Sequence, residues 1–208
     1  MILIITTDEI NLKKHLQIKN VEKLNVIGQV DLIIGNSISL KDEVIYFKSS
    51  GSKVELRVGL KWICKNYEIT SIIFFDYVSP INNNLLENHF IIPKKITSID
   101  DPPLEWSNNP LIDSLEANIS ANSKIRKVIF ETNFDFLYGN ILSIDEQFIN
   151  ENIINELKNL GQFDAINNLA FSLNKFANEN NIDIYNICIG KTVSMEKIKF
   201  KILFEKLF

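Results

Sequence analysis

The chain has 208 residues, 46% of them hydrophobic and 23% charged, with a formal net charge of −4. That is the make-up of a globular protein with one well-buried domain, assigned here to residues 1–208. The acidic balance and the presence of two arginines, Arg57 and Arg126, argue against a nucleic-acid surface, because arginine is the usual reader of phosphates and guanine edges.

Residues 2–6 (ILIIT) have the length and apolarity of a buried strand, and Asp8 to Gln17 follow as a helix-compatible stretch. VDLIIGNSISL and EVIYFKS predict a hairpin turning near Lys41 and Asp42. Ser49–Ser52 then caps a helix from Lys53 to Tyr67. Residues 69–75 (ITSIIFF) and 89–93 (HFIIP) predict two more strands. The stretch from Ile96 to Asn122, with Pro102, Pro103 and Pro110, reads as loop with one short helix at 110–118. KVIFET and FLYGNILSI predict strands, and a helix from Glu151 stops at Gly161. AINNLAFSLNKFANENN has apolar residues at helical spacing, DIYNICI is a strand, and SMEKIKFKILFEKLF a terminal helix. Strands alternating with helices predict an α/β fold with a central mixed sheet flanked by helices.

Cys64 and Cys188 both lie in apolar segments, the pattern of reduced, buried thiols in a cytoplasmic protein. His15 and His89 are far apart and no His/Cys cluster has metal-ligand spacing, so neither metal nor cofactor is expected. No run is long enough to span a membrane, and the N-terminus lacks a basic signal-type region. Gly190-Lys191-Thr192 has the letters of a P-loop tail, but the glycine required five residues earlier is Tyr185, and a buried strand fills the interval.

Four stretches, in the same order and at similar spacing, resemble the nucleoside phosphorylase/nucleosidase superfamily, and within it the methylthioadenosine/S-adenosylhomocysteine nucleosidases. They are IITTDEINL, FKSSGSKVELRVGLKWICKNYEITSIIFF, YGNILSIDEQFIN and AINNLAFSLNKFANENNIDIYNICIGKT. The resemblance implies a three-layer phosphorylase/hydrolase-like α/β fold, a homodimer or other protein partner, and a purine nucleoside ligand. The reaction it implies is cleavage of the purine–ribose bond through an oxocarbenium-like transition state, which needs an activated water, a hold on the sugar and a proton donor for the base.

The family's chemical groups do not survive at the matching positions. The water-activating glutamate falls on Asn11, with Glu9 two positions away. The glycine-rich turn falls on Asp76-Tyr77-Val78-Ser79-Pro80. The Met-Glu pair that holds the ribose falls on Asn168-Leu169, and the Ser-Asp pair that protonates the purine on Lys191-Thr192. Asparagine and threonine are neither acids nor bases near neutral pH, and leucine has no lone pair to offer a hydroxyl.

What the resemblance keeps is Ser50, Gly51 and Lys53 at the turn and Phe148-Ile149-Asn150 at the adenine side. A degenerate, non-catalytic relative, a pseudoenzyme acting in binding or assembly, is the first expectation. Its retained ligand residues would be Phe148, Ile149, Asn168, Asp76 and Glu9. The alternative is a purine nucleosidase with relocated groups, for which Glu9, Asp76, Asp145 and Glu146 are the nearest carboxylates. A phosphorylase fits less well, since neither arginine falls near the glycine-rich turn. Tyr77 and Phe171 have the bulk to fill the crevice, and the 96–125 loop has the length to cover it.

Overall fold

The computed structural model describes residues 1–7, 16–24, 31–81, 89–99, 112–132, 134–145, 149–190 and 203–207. At its centre is β1 (Ile2–Thr6), whose five residues are all buried. An all-apolar strand is stable there because parallel neighbours flank it on both edges: β4 (Asp42–Lys48) and β5 (Ser71–Pro80). Beyond β4 the sheet continues antiparallel through β3 (Asp31–Ser37) to β2 (Ile18–Leu24), an exposed edge strand.

On the other side of β5 the sheet curls. β5 pairs parallel with β10 (Asp183–Gly190), which pairs antiparallel with β6 (Phe90–Ile99). β6 runs parallel to β8 (Phe136–Ser143), and the two-residue β9 (Ala165–Ile166) joins β8 back to β5. Five strands thus close into a ring on one flank of a mixed ten-stranded sheet. β7 (Ile112–Glu116) adds an outer edge on β6.

Alternation along β1 sorts the layers. Leu3 and Ile5 pack with Leu56, Leu60 and Ile63 of α1 (Lys53–Asn66) and with Leu173 and Ala177 of α4 (Ala170–Glu179). Ile2 and Ile4 face the opposite layer, built by Ile125, Val128 and Ile129 of α2 (Ile119–Glu131) and by Leu203 and Phe204 of the C-terminal turn. A smaller cluster places Leu157 of α3 (Glu151–Leu160) against Leu142 and Ile166. The fold is the three-layer α/β arrangement with a mixed sheet.

Several local expectations are corrected. KVIFET is the last half of α2, because Ala121, Ile125, Val128 and Ile129 recur on one buried face and Asn118 caps the start. The short helix expected at 110–118 is instead β7. β6 continues past Pro93 to Ile99, with its register against β8 shifting between Pro93 and Lys95. Proline removes one ladder donor, and the irregularity accommodates it. β2 was not expected; its polar, exposed residues carry no alternation. The helix start Asp8–His15 and the strand end Lys191–Thr192 lie outside the described residues, as do 100–111 of the long loop.

Candidate functional site

Three chain segments meet just past the sheet: Thr7 after β1, the second half of β5, and Asp145 after β8. With the Ser50–Val54 turn and the residues before α4, they enclose a cleft of about 890 Å³. Crevices at strand ends are the usual ligand sites of α/β sheets.

The organising group is Asp76, a carboxylate only 4% exposed. The stretch that falls at the family's glycine-rich turn is strand: Asp76–Pro80 continue β5, held by β10 and by β9. A buried carboxylate is costly unless its oxygens are hydrogen-bonded, and here they are. The Thr7 hydroxyl and the Tyr77 N–H donate to Oδ1, and Asn167 Nδ2 donates to Oδ2 at 2.8 Å. Asn167 also donates to the Tyr77 carbonyl at 3.1 Å, while its Oδ1 accepts from the N–H groups of Leu169 and Ala170. One asparagine therefore ties β5 to the start of α4. Across the ladder, Cys188 stands beside Asp76; burial first, then that carboxylate, pushes its thiol far above the ordinary range.

The turn before α1 forms the opposite wall. Gly51 has φ +90°, a left-handed conformation that favours glycine. Its carbonyl accepts from Asn168 Nδ2 at 2.8 Å, and the Asn168 carbonyl accepts from the Ser143 hydroxyl at 2.8 Å. Ser52 caps α1 through the Glu55 N–H, and Ser50 donates to the Glu55 carboxylate from both N–H and hydroxyl. Lys53 closes the wall in an ion pair with Asp145, Nζ to Oδ1 2.8 Å.

Of the residues singled out in the sequence, Asp76, Asp145, Ile149 and Asn168 line the cleft, with Ser50, Gly51 and Lys53. Leu169 does not: its side chain is fully buried in the α1–α4 core. Phe171 packs beneath a neighbouring groove, and Tyr77 lines the cleft without filling it. Glu9, Asn11, Glu146, Phe148, Lys191 and Thr192 lie outside the described residues. Thr7, Asn167 and Ser143 were not anticipated. An asparagine able to bond the backbone two and three residues on was the available signal for Asn167, but it stood beside a second asparagine in an asparagine-rich chain. No cluster of three or more His, Cys, Asp or Glu side chains placed to hold a metal occurs among the described residues. No helix among them is long and apolar enough to cross a membrane.

This α/β architecture is shared with solved nucleosidases. The futalosine hydrolase of Helicobacter pylori strain 26695, as a mutant, superposes with TM-score 0.77 at 13% identity, over 99% of this chain and 94% of that one. The 5′-methylthioadenosine/S-adenosylhomocysteine nucleosidase of Helicobacter pylori, in complex with butyl-thio-DADMe-Immucillin-A, gives TM-score 0.77 at 15% identity over 99% and 91%. The Campylobacter jejuni nucleosidase of the same name gives 0.72 at 13% over 99% and 93%. No family model matches the chain, and no curated protein matches it by sequence. The chain shares the fold of these solved structures.

Proposed function

We propose that the protein binds a purine nucleoside in the Asp76 cleft and does not cleave it. One observation carries this reading. The cleft is open, with room for a nucleoside, yet its two described carboxylates are both committed: Asp76 to three donors and Asp145 to Lys53. These bonds hold both carboxylates to structural partners, whereas a general base must be aimed at the water it activates. A nucleoside as ligand is supported by solved structures of the same fold, the nucleosidases of Helicobacter pylori and Neisseria meningitidis, which are complexed with immucillin analogues. The sugar-holding glutamate of the resemblance falls on Leu169, which is buried. Beside it the cleft wall offers Asn168, whose amide nitrogen donates to the Gly51 carbonyl and whose side chain has no acid–base function.

The test is a thermal-shift titration with methylthioadenosine. A ligand at 100 times its dissociation constant adds about 2.7 kcal/mol to the folded state. A saturable rise in melting temperature is expected, and it should be lost when Asn168 is replaced by Leu. No shift with any purine nucleoside would overturn the reading.

A further inference from the structure

We infer that the outer face of α2 is a membrane-contacting surface, one that rests on an anionic lipid bilayer and does not cross it. The inference does not depend on what the cleft binds.

Ala121, Asn122, Ile125, Val128 and Ile129 are buried and fix one side of α2 against the sheet. At 3.6 residues per turn, Ile119, Ser123, Arg126 and Phe130 then share the outward side, spaced three or four residues apart. Water is an unfavourable neighbour for two of them. Ile119 is 79% exposed and Phe130 75%, more than any other large apolar side chain among the described residues. They stand at the two ends of the helix, about 16 Å apart along its axis.

Between them α2 carries Lys124, Arg126 and Lys127, all exposed, and its one carboxylate, Glu131, comes last. Glu131 meets Lys127 at 3.9 Å and Lys206 of the C-terminal turn at 3.7 Å. Lys124 donates to the Tyr185 hydroxyl at 3.0 Å, and Arg126 has no ion-pair partner among the described residues. Three cations against one carboxylate, in a chain of net charge −4, make this face complementary to an anionic partner.

The shape of the face selects the bilayer. Neither the Asp76 cleft nor the groove beside it is lined by α2, so no recess there receives a peptide or a partner helix. A bilayer needs none. Phenylalanine and isoleucine sink to the boundary of headgroups and acyl chains, while lysine and arginine lay their stems along it and reach the phosphates. A second copy docked α2 on α2 about a two-fold axis would instead bring like charges together.

The full chain is sedimented with vesicles of phosphatidylcholine containing about 30% phosphatidylserine, and with vesicles of phosphatidylcholine alone. It should pellet with the first and not the second, and less as salt is raised from about 0.05 to about 0.5 M. Arg126→Gln/Lys127→Gln should weaken partition about twentyfold, at about fivefold per cation. Phe130→Ser should weaken it about tenfold, and Ile119→Ser, at the other end of the helix, repeats that measurement. All these side chains are exposed, so the variants should keep the parent melting temperature. No pelleting with the phosphatidylserine vesicles overturns the inference, as does pelleting that the variants leave unchanged. Partition that responds to the cations but to neither apolar variant is electrostatic adsorption and overturns it too. Binding to polyglutamate but to neither vesicle would assign the face to an acidic protein instead.

Discussion

Asn167 and Asp76 form the joint on which the cleft depends: the amide donates to the buried carboxylate at 2.8 Å while its oxygen accepts from the Leu169 and Ala170 N–H groups at the start of α4. Losing the amide removes the turn bonds to the Leu169 and Ala170 N–H groups and a hydrogen bond to a buried charge. Asn167→Ala is therefore expected to cost about 2–4 kcal/mol, read from urea unfolding. Asn167→Asp should be at least as damaging, because two carboxylates would then face each other. Exchanging the pair, Asp76→Asn with Asn167→Asp, restores a donor–acceptor match and should recover at least half of that loss. A double variant no more stable than Asn167→Asp would count against the joint.

Leu169 and Asn168 are neighbours with opposite duties. Leu169→Ala leaves a cavity in the α1–α4 core and should cost about 2–5 kcal/mol. Asn168→Ala loses one hydrogen bond to the Gly51 carbonyl and should cost about 1 kcal/mol. Nucleoside affinity should fall in the second variant. A larger stability loss for Asn168 than for Leu169 would mean that the cleft wall is misassigned.

How far the sequence foretold this division is instructive. The buried strands, α1 and the helix beginning at Glu151 were legible because long apolar periods and caps such as Ser52 and Gly161 are local signals. The β5 extension through Asp76–Pro80 was not, since its pairing partners, Ile166 and Ala165, lie far along the chain. Asp76 could be named as a nearby carboxylate; that Thr7 and Asn167 would satisfy it is a consequence of tertiary closure alone. KVIFET misled because β-branched and aromatic residues favour strands, while the burial face of α2 is set by the sheet beneath it.

Gly51→Ala tests the turn. A β-carbon at φ +90° is strained, and the substitution should destabilise the chain by about 1–2 kcal/mol. Thermal unfolding reports it. An unchanged melting temperature would show that the turn relaxes freely.

The cysteines should behave differently towards a thiol reagent. Cys64, expected to be buried, is exposed on α1, although partial burial raises its thiol pKa, whereas Cys188 is fully buried as expected. One thiol per native chain should react, slowly, and two after denaturation. The buried thiol also sets a sign for alkaline pH. Its native pKa is raised above the ordinary 9.0, so its stabilising effect is complete below about pH 9. At higher pH the unfolded chain ionises Cys188 and the native chain does not. Stability should fall by up to about 1.4 kcal/mol per pH unit from this group, a slope that Cys188→Ala removes.

The central claim is binding without cleavage, and the direct measurement is adenine release. Purified protein is incubated with methylthioadenosine at a concentration that saturates the thermal shift, and free adenine is followed chromatographically. The expected result is release no faster than in a protein-free control. Adenine release above that control, lost in Asp76→Asn, would contradict the account and identify Asp76 as a working catalytic group.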